Sequence, residues 1–265
     1  MASLSDVLFM VSRNAFLIFG LVLLLVVASC SFLSRQSSEE EFGPLPDFAS
    51  FQVVDEKKRA FFDYFSTLVA AVNSDIKEDR SRLEALQNTT ALSADDNEWL
   101  TELAEQYEVT LSAERQDSSA LSALLNRVDQ IPESLVLSQA AIESAWGTSR
   151  FAQEGRNFFG QWCYTKGCGL VPAARKKKAS HEVKVFDSPL HSVQAYFNNV
   201  NRNRAYAPLR ALRAQARAAG EQLSGCRLSE GLKRYSELGE KYIAQVKSVI
   251  RINGLEKSKH CQKKR

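Results

Sequence analysis

"PESLVLSQAAIESAWG", residues 132–147, decides the fold, because it sets an almost unbroken apolar run between a proline and a glycine and places one carboxylate in its last turns. Pro132 suits the first turn of a helix, where a missing N–H costs nothing, and Gly147 suits the end. Between them Leu135, Val136, Leu137, Ala140, Ala141, Ile142, Ala145 and Trp146 leave hardly any polar face. A helix that is apolar all round is a buried one, so a central helix wrapped by others is predicted. Glu143 shares that setting, and its nearest charged neighbours in the chain are Glu133 and Arg150. Burial disfavours its charged form, and so does the negative end of the helix dipole. Glu143 therefore reads either as a protonated acid, able to give a proton to a glycosidic oxygen, or as half of a buried pair with Arg150 or Arg156.

Upstream, Phe61, Phe62, Phe65, Leu68, Val69 and Val72 recur at helical spacing and form one apolar stripe. Ser93 is placed to cap a second helix carrying Trp99, Leu103 and Tyr107, and "SSALSALLNRV" predicts a third. Downstream, the stretch from Gln161 to Asp187 breaks the helical rhythm with Gly167, Gly169, Pro172, the basic "ARKKK" at 174–178 and the alternating "HEVKVF". That pattern predicts a small β-hairpin inserted in a helical protein. Helices then resume: one starts at Pro189 and carries Val193, Tyr196, Phe197 and Val200, one ends at Gly220, and one carries Tyr242, Val246, Val249 and Ile250 before Asn253-Gly254.

The first 29 residues read as a signal peptide or an uncleaved membrane anchor, since "AFLIFGLVLLLVVAS" is uncharged, follows Arg13 and runs straight into Cys30. Its length is short of the roughly 20 residues of a spanning helix. "VASC" resembles the lipobox of bacterial lipoproteins, which implies lipidation of Cys30. Either reading puts the rest of the chain outside the cytoplasm, in the periplasm and tethered to a membrane. Residues 30–50, polar, acidic and proline-bearing, read as a linker. In an oxidising compartment Cys163 and Cys168, bracketing the turn-like "YTKG", are the first expected disulfide, which leaves Cys226 with Cys261. Zinc at a lone C-x4-C and unpaired thiols are the competing readings. The net charge of +3 over 265 residues, with both signs interleaved, gives no reason to expect nucleic acid as a partner.

Residues 132–162, "PESLVLSQAAIESAWGTSRFAQEGRNFFGQW", resemble the opening motif of the peptidoglycan N-acetylglucosaminidases of glycoside hydrolase family 73, and within it the bacterial Bax-like proteins. In that motif a helix with A-x-x-E-S-x-W-G precedes an asparagine-aromatic-phenylalanine-glycine turn. The resemblance runs from about Leu121 to Leu255. It implies a mainly α, lysozyme-like α+β domain over 121–265 with a β-hairpin lobe, preceded by a helical extension over 51–120. It also implies hydrolysis of the β-1,4 bond after N-acetylglucosamine in peptidoglycan strands, without metal or organic cofactor.

Carried over, Glu143 is the proton donor. Glu182 is a second acid on the hairpin, able to activate water, although the residues alone also allow an exposed strand position paired with Lys184 or a nearby arginine. Tyr235, in "YSELGEKY", is expected to contact the sugar beside Glu143, and Tyr242 and Tyr206 to belong to the same binding region, with packing as the other reading of Tyr206. Asn157, Phe158, Phe159, Gln161 and Trp162 are expected to line the groove, with packing as the other reading of Phe158. The basic "ARKKK" run suits either the anionic peptide stems of the substrate or plain solvent. A lytic transglycosylase and a wall-binding scaffold without turnover are the rival readings.

Overall fold

The computed structural model describes residues 41–87, 89, 91–111, 118–173, 175 and 179–262. The export segment, the first eleven residues of the expected linker with Cys30 among them, and Lys176 to Lys178 lie outside the described residues. The chain divides into two units, Met1–Leu45 and Pro46–Arg265, and every element named below belongs to the second. It is mainly helical: α1 (Val54–Leu86), α2 (Ala94–Gln106), α3 (Ser118–Arg127), α4 (Glu133–Glu143) and α5 (Arg150–Gly155) precede a small sheet. After the sheet come α6 (Pro189–Arg202), α7 (Ala207–Ala218), the short α8 (Gly225–Leu228) and α9 (Glu240–Ile252). Among the described residues no helix is long and apolar enough to cross a membrane.

α4 is the axis, as its all-apolar pattern predicts. Every residue from Ser134 to Ala141 is buried, and α1, α8 and α9 pack around it. α1 contributes Phe61, Phe65, Leu68, Val69 and Val72, followed by Ile76, Leu83 and Leu86. Phe62 differs from the expected stripe: it is half-buried and turns its ring to Trp146, 5.2 Å between centroids. Ser93 caps α2 by accepting from the Asp96 amide, 3.1 Å.

α4 stops at Glu143 rather than at Gly147, for a local reason. Ser144 Oγ donates to the Ala140 carbonyl (2.6 Å) and accepts from the Gly147 amide (2.8 Å), offering the backbone an alternative to the helical ladder. Ala145 and Trp146 then take left-handed conformations, φ 51° and 60°, ahead of Gly147 at 77°. Such non-glycine backbone costs of order 1–3 kcal/mol per residue and persists only where packing enforces it. Here the Trp146 ring meets Phe61 edge-on at 5.7 Å and lies under the Lys58 ammonium at 5.5 Å.

One expected boundary moves. The linker ends earlier than residue 50, because Phe48 is 2% exposed and packs on Phe61 at 5.1 Å. A β-carbon on Gly147 would lie 2.2 Å from Phe48 Cδ2, so the glycine makes room for that ring. In the helical extension of 51–120, α1 packs against α4 and α6 within one compact unit.

A buried guanidinium ties α7 to the turn between α3 and α4. Arg213 is 1% exposed and donates to the carbonyls of Asp129 (2.9 Å), Gln130 (3.2 Å) and Asn126 (3.0 Å), and to Asn201 Oδ1 (2.7 Å). The Asp129 carboxylate balances it at 3.5 Å and also holds Arg217 at 2.7 Å. Replacing Arg213→Met takes the donor from the Gln130 and Asn126 carbonyls and from Asn201 Oδ1 and removes one of the cations around the buried Asp129 carboxylate, so a loss of about 3 kcal/mol or more is expected in urea unfolding. A midpoint equal to that of the parent chain would show that the cluster does not hold the fold.

Candidate active site

Glu143 projects from the last residue of α4 and is half-buried. Its Oε1 accepts a 2.7 Å hydrogen bond from the Tyr242 hydroxyl of α9. Tyr242 Oη in turn accepts from Gln139 Nε2 at 3.0 Å, and Gln139 Oε1 accepts from the Tyr196 hydroxyl of α6 at 2.6 Å. Gln139 lies one helical turn before Glu143, on the same face. Behind this line the Tyr235 ring stacks on Tyr242, 5.3 Å apart at 10°, and Phe159 stacks on Tyr196 at 4.2 Å.

Burial raises the pKa of Glu143 above the ordinary carboxylate range, and the Tyr242 hydrogen bond offsets only part of that rise. Burial, followed by the nearby carboxylate, pushes the Tyr242 phenol far above its usual value, so it stays a neutral donor. Among the described residues Glu143 has no ion pair; Arg150 donates instead to the Val171 carbonyl, 2.7 Å. The half-buried, unpaired acid thus has the environment of a proton donor rather than of a structural charge.

Several residues expected to touch sugar are placed differently. Asn157 is 1% exposed, its amide donating to the carbonyls of Gln161 (2.9 Å) and Lys184 (2.8 Å) while its Oδ1 accepts from the amides of Phe159 and Gln161. It builds the turn and offers no free edge to a ligand. Phe158 is buried against Phe65 at 4.6 Å, and Phe159 is buried on Tyr196, so both support the wall from behind. Gln161 is partly exposed, with its Nε2 committed to the Ser192 carbonyl at 3.2 Å. Tyr206 is 7% exposed and packs on Tyr235 at 5.8 Å, the packing role among its two readings. Tyr235 donates to the Phe159 carbonyl (3.0 Å), and it is Tyr242, itself buried, that holds Glu143. Trp162 alone of the expected wall is well exposed, at 56%, with its ring stacked on His181 at 3.9 Å.

The hairpin lobe is a three-stranded antiparallel sheet in the order β1 (Trp162–Cys163), β3 (Glu182–Lys184), β2 (Gly169–Leu170). Cys163 pairs with Glu182 across it, and Cys163 is bridged to Cys168. Cys226 is bridged to Cys261, so both expected disulfides form. Glu182 is neither an exposed strand residue nor a loose base: it is 5% exposed and accepts from the amides of Gly167 (3.1 Å) and Gly169 (2.9 Å). Those bonds, with Arg175 nearby, hold its carboxyl below the usual range. Cysteine pairs do approach a carboxylate at Cys163, Cys168 and Glu182 and at Cys226, Cys261 and Glu256, but the sulfurs are spent in disulfides.

Gln139 and Tyr196 carry roles that the sequence reading missed. A polar side chain one turn from the acid, in an otherwise apolar helix, was the available signal for Gln139; for Tyr196 it was a hydroxyl in a buried stripe, which needs a partner.

The profile of the glucosaminidase family, described as mannosyl-glycoprotein endo-β-N-acetylglucosaminidase, matches residues 119–255, a span that contains α4, the hairpin and α9. The chain belongs to this family. It is also similar to "Protein bax" of Escherichia coli (strain K12), 32% identical over 216 residues that cover 82% of this chain and 76% of the relative. No solved structure matches it significantly. The glucosaminidase match supports a glycosidase-type enzyme, and Glu143 lies at the end of α4 within the matched span.

A raised native pKa carries a sign for stability. The cost of holding Glu143 charged is absent below the ordinary glutamate value of about 4.3 and complete above the raised native value. Glu143→Gln, which can still accept from Tyr242, is therefore expected to raise Tm at pH 8 and to lose that advantage at pH 4. Thermal melts at the two pH values check this, and an advantage that grows on acidification would contradict the placement of the acid.

Proposed function

We propose that the protein hydrolyses the β-1,4 glycosidic bond after N-acetylglucosamine in peptidoglycan, with Glu143 as the general acid. The observation that carries this reading is the half-buried Glu143 carboxyl, without a cationic partner among the described residues, held through one oxygen by Tyr242 and raised in pKa by burial. A carboxylic acid whose pKa is raised keeps its proton to higher pH and can give it to the departing oxygen as the bond to C1 breaks. Water then supplies hydroxyl to C1 and a proton that restores the acid. Family membership supports the glucosaminidase chemistry, and the relative supports the bacterial setting. Exposed Trp162, backed by His181, is a platform for a sugar face.

Glu182 is better assigned to holding the hairpin than to activating water, since both of its oxygens are engaged by backbone amides. Two disulfides support an oxidising compartment, and we place the folded unit in the periplasm, tethered to the membrane through Cys30.

Digestion of purified sacculi with mass analysis of the fragments tests the reaction. The expected products end in reducing N-acetylglucosamine, and Glu143→Gln should lower their release at least about 100-fold, the scale of a general acid. Anhydro-sugar ends would move the assignment to a lytic transglycosylase. Equal release by both forms would remove Glu143 from the chemistry.

A further inference from the structure

We infer that Gln139 is a positioning residue that fixes which oxygen of Glu143 bears the transferable proton, assigning it to Oε2, on the side of Gly160. The use of that proton rests on the glycosidase reading; the assignment of the oxygen does not. The hydrogen-bond line from Tyr196 through Gln139 and Tyr242 to Glu143 has a direction, and the ionised acid forces it. An ionised carboxylate only accepts, so the Tyr242 proton must point to Oε1. The Tyr242 oxygen then has lone pairs to offer and takes the Gln139 N–H, which leaves the Gln139 oxygen facing Tyr196.

Protonation of the acid preserves this order only if the proton goes to Oε2, because Oε1 is already accepting. The opposite order, with the acid donating to Tyr242, either leaves the Tyr242 O–H without an acceptor or requires the Gln139 amide to turn over and break both of its bonds. Gln139 and Tyr196 are fully buried and Tyr242 is 2% exposed, so bulk water does not reach these groups and either change is costly. The acid can thus cycle between its two forms without rearranging what lies behind it.

Oε2 lies beside Gly160. A β-carbon on Gly160, where φ is 66°, would lie 3.4 Å from Oε2, so the glycine leaves that oxygen unobstructed by a side chain. The titratable groups facing Glu143 are all neutral phenols: Tyr242 from α9, Tyr235 just before it, Tyr196 from α6 and Tyr206 ahead of α7, each held above its ordinary range by burial. None competes with Tyr242 as the donor to Oε1.

Infrared spectroscopy of the full chain with 13C-labelled glutamate reads the assignment directly, the protonated Glu143 band being identified by its loss in Glu143→Gln. With the proton on Oε2 the carbonyl oxygen is Oε1, which accepts from Tyr242, so the C=O stretch sits below that of an unbonded acid. Gln139→Met removes the directing amide, and the band should move up or split as the proton spreads to both oxygens. Tyr196→Phe, a milder change that never touches Glu143, should do the same in part.

On peptidoglycan, kcat is expected to fall about ten-fold in Gln139→Met, the worth of one hydrogen bond, with KM unchanged. A band at the parent position in both variants overturns the inference even if activity falls, because lost packing would not set the proton's place. A shifted band in a chain that cleaves no glycan upholds the role of Gln139 and sinks only the glycosidase reading.

Discussion

The structure depends on burying one helix completely and ending it at a carboxylate. With eight consecutive residues of α4 out of contact with water, three other helices are needed to enclose it, and α1, α8 and α9 do so. α9 supplies Tyr242, which bonds the acid at the tip of α4. Hydrophobic burial of the helix thereby supplies the low-dielectric setting that raises the acid's pKa, and the same burial compels the polar atoms nearby to find partners. Gln139, Tyr196 and Tyr242 are the consequence: three buried polar groups that satisfy one another and terminate on Glu143. Packing and chemistry are one requirement at this point.

The hairpin lobe reaches stability by other means. Its strands are two or three residues long, too short to hold by ladder bonds alone. The Cys163–Cys168 bridge closes one end, and the buried Glu182 carboxylate gathers the amides of Gly167 and Gly169 on either side of Cys168. Asn157 then pins the lobe to the helical body by bonding the Lys184 carbonyl. With that frame rigid, Trp162 can stand exposed on the sheet surface at little ordering cost when a ligand meets it.

What was legible in the chain was whatever periodicity and local chemistry determine. The all-apolar pattern of 132–147 predicts a central helix, the stripes in α1 and α6 predict their buried faces, and cysteine spacing predicts the bridges; all of these stand in the structure. The isolation of Glu143 from basic residues was also readable. The partners of that acid were not, since Tyr196 and Tyr242 are distant in sequence and only the packing of α6 and α9 on α4 brings them together. The choice between Tyr235 and Tyr242 illustrates the limit. Both precede or open the same helix, and a difference in which face each presents decides that one holds the Phe159 carbonyl and the other the acid. Asn157 misled for a related reason: an amide suits a sugar and a turn equally, and four backbone groups of the fold claimed it first.

The helical extension belongs to the site through one tryptophan. Had α4 continued to Gly147, Ala145 and Trp146 would have been ordinary helical residues and the acid would have sat in mid-helix, with another turn of apolar side chains beyond it. Ending at Ser144 puts Glu143 at the rim, where it keeps partial access to water, but this leaves two non-glycine residues in left-handed backbone. The enforcing contacts come from α1, whose Phe61 and Phe62 grip the Trp146 ring, and from Phe48, which fills the space beside Gly147. Residues ahead of the matched family segment therefore stabilise the chain reversal that delivers the acid to its position. Phe48 and α1 thus join the Ser144 hydroxyl in holding the strained turn after Glu143.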